Sequence, residues 1–315
     1  MTTLLVASSG GHLAELVELA DRLPLTSSAR HWVTFRGPQS EGLLAGERVT
    51  YLPEIRERDA RGVVRGTRHA IGLFAGERFD TVISTGSGIA LAFLPYAALL
   101  GIDVHFIESA CRVHTRSMTG RVLSGLPRIR LYRQFPEGAT SPWHHGGSVF
   151  DNFETRTATA PPLRRAVVTV GIRVAVGFRR LIERLAEILP SGLDVLWQTG
   201  PTPVDGLGIK PRPVVPALEL QNAMRDADVV ISHAGCGSAL TALKVGKCPI
   251  LVPRAPALGE VIDDHQTELA VALAERGLAI HRSPQSLTLA DLEAAAARRV
   301  VRVADPPPFR LMTTR

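Results

Sequence analysis

Short apolar runs alternate with longer amphipathic segments along almost the whole chain. The short runs are rich in β-branched residues and are typical of parallel strands that are covered on both faces. The longer segments carry apolar residues at the three- and four-residue spacing of a helix, as Leu13, Leu16 and Ala20 do in the first of them. Strands are predicted at residues 3–7, 31–35, 49–52, 104–108, 129–132, 165–171, 194–198, 229–231, 249–253 and 278–281, with another before Gly86 and a short extended segment at 212–215. Helices are predicted after the first strand and at residues 41–45, 63–75, 89–100, 116–126, 178–189, 217–225, 239–245, 267–276 and 289–301.

This alternation predicts an α/β protein with two Rossmann-like, doubly wound parallel sheets, in domains at residues 1–157 and 158–315. The segment 155–162 is rich in Thr, Ala and Pro and is interpreted as the linker, 143–148 as a loop and 306–308 as part of a loose tail. Right-handed crossovers would place the glycine turns of each sheet at its carboxyl edge. We expect these two edges to face a cleft, which suits a transferase with a donor and an acceptor.

A strand, a glycine-rich turn and a helix are predicted between Asp228 and Gly246. Gly235 and Gly237 would allow a tight turn, and Ser238 is interpreted as the helix N-cap. The N–H groups of such a helix start suit a phosphate or diphosphate. From this stretch alone, an ordinary strand-to-helix turn explains the pattern equally well. Similar glycine turns follow other predicted strands, at Gly10 and Gly11, at Gly86 and Gly88, and at Gly171.

Charge and composition narrow the class of partner only in part. The formal net charge of +6 could favour a nucleotide, an anionic membrane surface or nucleic acid. Aromatic residues make up only 5% of the chain, which argues against stacking platforms, and we expect no nucleic-acid partner. An arginine cluster in the first half is interpreted either as a solvated face or as a contact with anionic lipid headgroups. It comprises Arg56, Arg58, Arg61, Arg65 and Arg68, and the same interpretation applies to Arg128, Arg130 and Arg133, which follow.

No stretch of the sequence predicts an export signal, a membrane span or a metal site. The longest apolar run, residues 89–102, is too short to cross a bilayer. Cys111, Cys236 and Cys248 lack paired or metal-ligand spacing, which favours a reducing compartment. We therefore expect a cytoplasmic protein that contacts a membrane peripherally, at its inner face, and that uses no metal ion and no cofactor.

Several motifs resemble those of sugar transferases. The second-half motifs SHAGCGSAL at 232–240, GKCPILVP at 246–253 and DDHQTELA at 263–270 resemble the catalytic subunit of the eukaryotic dolichol-linked chitobiose synthase. The first-half motifs SGGH at 9–12, IESACRV at 107–113 and SMTGR at 117–121 resemble its membrane-recruiting subunit. The chain is similar to a fusion of the two. That is also the layout of glycosyltransferase family 28, which includes the bacterial enzyme that adds N-acetylglucosamine to the undecaprenyl-linked peptidoglycan precursor.

The resemblance implies a GT-B fold and an inverting, metal-independent glycosyltransferase. The donor would be a UDP-sugar, such as UDP-N-acetylglucosamine, and the acceptor a sugar or lipid-linked precursor of the cell envelope or of a polysaccharide. An inverting transfer needs a base, and the resemblance points to His12 or Glu108. The acceptor side would include Gly10, Gly11, Gly86, Ser87, Ser109 and Arg112. The donor side would include Gly171, Val215, His233, Gly235, Gly237, Ser238, Thr241, Asp264, His265 and Gln266.

Within that donor side, each part of the nucleotide sugar has an implied position. The turn 235–238 would hold the diphosphate, Val215 would meet the uracil and Gln266 would hydrogen-bond the sugar. The family carries a glutamate for the ribose hydroxyls where this chain has Thr241, and a hydroxyl cannot accept two hydrogen bonds as a carboxylate does. The DxD pattern of Asp226 and Asp228 precedes a predicted strand, at the wrong end of the sheet for a ligand.

Two other functions stay open at this point. A UDP-sugar epimerase or hydrolase can have the same two-domain fold and would need no acceptor. A non-catalytic nucleotide-sugar-binding protein would be compatible with the threonine at position 241. An NAD-dependent oxidoreductase is disfavoured, because the turn at 9–12 lacks the full GxGxxG spacing.

Overall fold

The computed structural model describes residues 2–25, 29–56, 58–160, 162–172 and 176–312. The chain divides into two compact units, Met1–Asp151 with Asp305–Arg315, and Asn152–Ala304. The sequence-based boundary lay at residues 157 and 158 and assigned the whole C-terminal end to the second domain. In the structure, the chain instead returns to the first unit for its last residues.

The first unit contains a parallel sheet whose seven described strands have the order β3-β2-β1-β4-β5-β6-β7. The strands are β1 (Thr3–Ala7), β2 (Arg30–Phe35), β3 (Val49–Leu52), β4 (Thr81–Gly86), β5 (Asp103–Ile107), β6 (Ile129–Arg133) and β7 (Trp143–His145). The helices are α1 (Gly11–Ala20), α2 (Pro38–Leu43), α3 (Ala60–Gly76), α4 (Gly88–Leu99) and α5 (Met118–Leu123). This order reverses direction between β1 and β4, and ligands of doubly wound folds bind at such a switch point.

The core of the first unit forms where the apolar sequence runs predicted it. All of β1 is buried, as are Phe93 and Leu94 of α4, which packs against both sheet and helices. Helices α3 and α4 approach closely because α3 carries Gly66, where an added Cβ would lie 2.9 Å from the Cβ of Ala92. Helix α4 is strongly apolar and has 12 residues. No helix in the described ranges is long and apolar enough to cross a membrane.

The second unit contains a parallel sheet with the order β11-β10-β9-β12-β13-β14 and a separate antiparallel pair, β8 with β15. The strands are β8 (Phe153–Thr157), β9 (Arg165–Thr169), β10 (Asp194–Gln198), β11 (Pro211–Arg212), β12 (Val229–Ser232), β13 (Ile250–Leu251), β14 (Ile280–His281) and β15 (Arg298–Arg302). The helices are α6 (Arg179–Ile188), α7 (Ala217–Asp226), α8 (Cys236–Lys244), α9 (His265–Glu275) and α10 (Leu289–Ala296). The predicted pair of doubly wound parallel sheets is confirmed.

Three local predictions are wrong. Residues 143–148 were expected to be a loop, but 143–145 form β7, because buried Trp143 anchors a seventh strand on the sheet edge. The expected linker 155–162 begins inside β8. The expected helix 289–301 ends at Ala296, and β15 then pairs with β8 because Val300 is buried while its neighbours point outward.

The tail that was expected to be loose is packed on the first unit. Phe309 is fully buried, and its ring lies 5.9 Å from that of Tyr132 in an edge-on contact. The backbone is tied by hydrogen bonds from Phe309 N–H to Arg22 O, at 2.9 Å, and from Arg310 N–H to Gly146 O, at 2.7 Å. The proline run concealed this packing, since a single aromatic residue in a polar tail carries little periodic signal.

Candidate active site

One group of candidate residues lies at the carboxyl end of β1 in the first unit. Gly10 has a φ of 95°, which favours glycine, and it precedes α1 directly. Its N–H donates to Gln39 Oε1 at 2.6 Å, and Gln39 Nε2 donates back to Gly10 O at 3.1 Å. The Gln39 side chain thus fixes both the N–H and the C=O of Gly10. Gly11 and His12 follow in the first turn of α1.

His12 is joined to the end of β4 by reciprocal hydrogen bonds. Its Nδ1 lies 2.7 Å from Thr85 O, and Thr85 Oγ1 donates to His12 O at 2.8 Å. The ring packs on Gly86, where an added Cβ would lie 3.1 Å from His12 Cε1 and φ is 108°. The structure therefore brings together four predicted residues: Gly10, Gly11, His12 and Gly86.

The partner of Nδ1 determines the tautomer of His12. A carbonyl oxygen can only accept, so Nδ1 must carry the hydrogen. In the neutral ring, Nε2 then has a lone pair, and the side chain is half-exposed. Such a nitrogen can accept a proton from a hydroxyl group that approaches it.

Glu108, the other candidate base, is only 1% exposed. Its Oε2 accepts hydrogen bonds from Ser117 N–H, at 3.0 Å, and Ser117 Oγ, at 3.1 Å. Burial raises the pKa of Glu108 above its ordinary value, against the opposing effects of these hydrogen bonds and of nearby Arg112. Ser117 in turn caps α5 by accepting from Gly120 N–H. The carboxyl group thus organises the start of α5 and points into protein.

A buried glutamate that the sequence analysis missed orders the segment after β5. Glu15 of α1 is fully buried and accepts from Ser109 Oγ, at 2.7 Å, from Ala110 N–H, at 2.9 Å, and from Gln134 Nε2, at 2.9 Å. Ser109, predicted on the acceptor side, therefore has its hydroxyl directed at Glu15. The sequence signal for this role is a glutamate among the apolar residues of α1, and a solvated glutamate would give the same pattern.

Arg112 and Ser87 complete the predicted acceptor side. Arg112 Nη1 donates to Thr115 Oγ1 at 3.2 Å, and its main-chain oxygen accepts from Nη2 of buried Arg133 at 2.9 Å. Ser87 precedes α4, and its Oγ lies 3.4 Å from Ser8 Oγ, beside the turn after β1. Ser87 thus adjoins the His12 group, whereas Glu108, Ser109 and Arg112 form a second group that Glu15 ties to α1.

In the second unit, a helix starts at the carboxyl end of β12. Helix α8 begins at Cys236 with Gly235 as its N-cap, and the first intrahelical bond runs from Ala239 N–H to Gly235 O at 3.0 Å. Ser238, predicted as the N-cap, instead lies inside the first turn, because the helix starts earlier than the apolar pattern indicated. The N–H groups of Gly237 and Ser238 thus lie at the positive end of a helix dipole. A diphosphate suits this position.

His233 fills the turn before α8. An added Cβ at Gly235 would lie 2.5 Å from His233 Nε2, and one at Gly171 would lie 2.8 Å from it. Gly171 also has a φ of 78°, so both glycines are needed for the ring to fit. Desolvation of the ring, followed by the charge of Arg254, lowers the pKa of His233 to about 4. His233 is therefore neutral at neutral pH.

The predicted DDHQ residues begin α9. Asp264 is the N-cap residue, and His265 Nδ1 lies 2.5 Å from Asp263 Oδ1, which orients the imidazole. Gln266 is 3% exposed, and its Oε1 accepts from Arg254 N–H at 3.0 Å. The amide oxygen is thus occupied by the backbone, which leaves the NH₂ group of Gln266 as the donor available to a ligand.

Thr241 and Val215 differ in what they offer to a nucleotide. Thr241 is half-buried, and its Oγ1 donates to Gly237 O at 2.8 Å, one helical turn back. Val215 is buried, with 4% of its surface exposed, whereas its neighbour Val214 is 59% exposed. A uracil ring at this segment would therefore contact the backbone or Val214 rather than the Val215 side chain.

The DxD pattern lies away from the carboxyl edge, as predicted. Asp228 comes directly before β12, and its Oδ2 accepts from the N–H groups of Arg164, at 2.7 Å, and Arg165, at 2.8 Å. These contacts fix the amino ends of neighbouring strands. Its carboxylate therefore has a structural role at the opposite end of the sheet from the α8 turn.

Comparison with known sequences places these features among sugar transferases. A profile of the glycosyltransferase family 28 C-terminal domain matches residues 165–298, which include β9, the α8 turn and α9. A UDP-N-acetylglucosamine–N-acetylmuramyl-(pentapeptide) pyrophosphoryl-undecaprenol N-acetylglucosamine transferase from Synechococcus sp. (strain WH7803) is 31% identical over 89% of this chain and 83% of its own length. The UDP-N-acetylglucosamine transferase subunit ALG13 from Yarrowia lipolytica is 32% identical over 26% of this chain and 48% of its own.

Solved structures show the same architecture. Acinetobacter baumannii MurG superposes with a TM-score of 0.57 and 21% identity, over 93% of this chain and 89% of its own. S. aureus MnaA, in a structure with UDP, has a TM-score of 0.60 and 11% identity, over 98% of this chain and 92% of its own. At these identities the likeness concerns the fold alone, and it confirms the expected GT-B architecture.

Proposed function

Because this chain belongs to glycosyltransferase family 28, we propose that it transfers N-acetylglucosamine from UDP-N-acetylglucosamine to a lipid-linked or polysaccharide-precursor acceptor. The observation that carries the proposal is the start of α8, where a glycine turn and helix N–H groups lie beside neutral His233. The name of the relative from Synechococcus includes this donor and a lipid-linked acceptor, and that relative aligns with most of this chain.

The second unit would bind the donor. The N–H groups of Gly237 and Ser238 and the dipole of α8 would hold the diphosphate and stabilise the charge that develops on the leaving UDP. Since these groups supply positive potential at the diphosphate, we propose a transfer that needs no metal ion. The NH₂ group of Gln266 and the imidazole of His265 would hydrogen-bond the donor sugar.

The first unit would bind the acceptor and supply the base. His12 is favoured over Glu108, because its Nε2 is unprotonated in the neutral tautomer and its ring is half-exposed. Loss of the acceptor proton to His12 as the hydroxyl attacks the anomeric carbon would give inversion in a single displacement. Glu108 would act indirectly, by holding the loop before α5 through Ser117.

Contact with an anionic membrane is part of the proposal. Exposed apolar residues and arginines alternate on two helices that both pack on α4. They are Val64, Ile71, Arg61, Arg65 and Arg68 on α3, and Met118, Val122 and Arg121 on α5. Apolar insertion with surrounding positive charge is the usual chemistry of peripheral binding to anionic lipid. Sedimentation with anionic vesicles, reduced by the double substitution Arg61→Glu and Arg65→Glu, would support this surface, and equal sedimentation of both proteins would refute it.

A donor screen tests the proposed substrate. A ligand that binds only the folded protein raises its melting temperature, so UDP-N-acetylglucosamine is expected to stabilise the protein more than other nucleotide sugars do. Release of UDP that requires an added acceptor would support a transferase. Release without an acceptor would support an epimerase or hydrolase, and the absence of stabilisation by every UDP-sugar would contradict the donor assignment.

A further inference from the structure

Arg254 is a buried cation, and its hydrogen bonds to the residues that the structure describes all lie within the second unit. It follows β13 after two residues, and only 1% of its surface is exposed. Its Nη2 donates to Val170 O at 2.7 Å, and its Nη1 donates to Val176 O at 2.8 Å and to Gly177 O at 3.0 Å. Val170 directly precedes Gly171, whereas Val176 and Gly177 lie just before α6. The guanidinium therefore joins the chain after β9 to the chain before α6.

The main chain of Arg254 holds a second part of the site. Its N–H donates to Gln266 Oε1, which fixes the orientation of the Gln266 amide. Two groups of the proposed donor side, the backbone at Gly171 and the Gln266 amide, are thus positioned by one residue. Arg254 directly follows the apolar run that ends at Pro253, where its sequence position does not distinguish it from an exposed loop residue.

Arg254 and Arg180 lie against the same aromatic ring. Its guanidinium carbon lies 5.0 Å from the ring centroid of Phe178, and that of Arg180 lies 5.2 Å from the same ring. Arg180 also binds Glu260 through two hydrogen bonds of 2.8 Å, and Glu260 accepts from Ala255 N–H. Arg180 shares the aromatic ring but, among the described residues, donates no hydrogen bond to the carbonyls of Val170, Val176 or Gly177, which makes it a matched control.

The charge of Arg254 also acts on His233. Desolvation is the main cause of the lowered pKa of His233. Arg254 and His265 also lower this pKa electrostatically, and the effect of Arg254 is the larger of the two. The hydrogen bond to Thr169 O acts in the opposite direction. A neutral His233 keeps its ring packed between Gly171 and Gly235 without a buried charge of its own.

We propose that Arg254 is a positioning residue for the donor, which holds the backbone at Gly171 and the Gln266 amide in place together. This inference rests on the proposed binding of a UDP-sugar to the second unit. A residue that served stability alone would affect the melting temperature but neither the donor KM of the folded enzyme nor the titration of His233.

The test compares Arg254→Lys, Arg254→Met and the control Arg180→Met in the full chain. Lysine keeps the charge but cannot span the three carbonyls, so the donor KM is expected to rise roughly tenfold or more while the titration of His233 stays near wild type. Methionine also removes the charge, so the pKa of His233, followed by NMR in ligand-free protein, is expected to rise as well. Arg180→Met is expected to leave both quantities near wild type.

The outcomes separate this inference from the proposed function. A folded Arg254→Lys enzyme with the wild-type donor KM, or an Arg254→Met protein with an unchanged His233 titration, would overturn the positioning role. If Arg254→Met does not fold, Arg254→Lys decides through the donor KM. If wild-type protein fails to bind UDP-N-acetylglucosamine, both the proposed function and this inference are wrong. That failure is distinguishable because it is seen in wild-type protein, before any variant is measured.

Discussion

The imidazole Nδ1 of His12 lies 2.7 Å from the main-chain oxygen of Thr85, and the hydroxyl of Thr85 donates back to the main-chain oxygen of His12. This pair joins the first turn of α1 to the end of β4, the neighbouring strand of β1 at the switch point of the sheet. It also places the hydrogen of neutral His12 on Nδ1. The proposed role of His12 as the base rests on this relationship rather than on its presence in a glycine turn.

Substitution of Glu108 by glutamine is expected to destabilise the protein by about 1–3 kcal/mol near neutral pH, since both carboxylate oxygens accept hydrogen bonds and an NH₂ group, which cannot accept, would replace one of them. Because burial raises the native pKa of Glu108, the native state holds more protons than the unfolded state between 4.5 and the raised value. The stability contributed by Glu108 is therefore complete below that window and falls as pH rises through it.

Urea unfolding of wild type and Glu108→Gln at several pH values measures this effect. The advantage of the wild type over the variant should shrink as pH rises from about 4.5. A constant difference across that range would contradict the raised pKa. If Glu108→Gln lost transfer activity while keeping full stability, Glu108 would have a chemical role and the preference for His12 would be wrong.

Gly235→Ala tests whether the packing of His233 determines donor binding. The new Cβ would lie 2.5 Å from His233 Nε2, so the imidazole must move. Since the φ of Gly235 is −78°, the backbone itself accepts alanine without strain. We expect the Kd for UDP to rise roughly tenfold or more, measured by calorimetry. The control is Gly192→Ala, where an added Cβ meets no atom within 4 Å, and equal binding by both variants would contradict the assignment.

Thr241→Glu is expected to tighten UDP binding. Thr241 lies on α8 with its hydroxyl turned back to Gly237 O, whereas a carboxylate can accept hydrogen bonds from both ribose hydroxyls. Calorimetry with UDP measures the change, and Thr241→Gln controls for side-chain length without charge. Unchanged or weaker binding of the glutamate variant would count against a ribose at this position of α8.

Phe309→Ala tests whether the C-terminal tail belongs to the first unit. Phe309 is fully buried, and an added Cβ at Gly146 would lie 2.5 Å from its ring. Loss of such a side chain is expected to cost about 3–5 kcal/mol in the free energy of unfolding. Met312→Ala is the control, since Met312 is 40% exposed. A melting temperature that is equal in the two variants would show that the tail does not stabilise the protein.

The strand and helix order was predictable because apolar runs and helical spacing are local signals. The predictions that were wrong, for residues 289–301 and for the C-terminal tail, share a different cause. Val300 is buried only because β15 pairs with β8, which is more than a hundred residues earlier in the chain, and Phe309 is buried only because residues 305–312 return to the first unit. Neither contact leaves a periodic pattern in the sequence.

The candidate site divides in the same way. Glycine turns, His12 and the DDHQ run were found because specific motifs carry them, and their assignments as site residues stay predictions. Glu15 and Arg254 were missed because buried charged residues are recognisable only from their partners. Those partners, such as Gln134 for Glu15 and Val170 for Arg254, are distant in sequence and come close only through the parallel sheets.

The most direct test of this account is acceptor-dependent release of UDP from UDP-N-acetylglucosamine by wild-type protein and by His12→Gln, with His145→Gln as an exposed control. Wild type and control are expected to release UDP only when a lipid-linked acceptor is present. His12→Gln should lose on the order of a hundredfold to ten-thousandfold in rate while binding the donor as before. Full activity of His12→Gln, or UDP release that needs no acceptor, would contradict it.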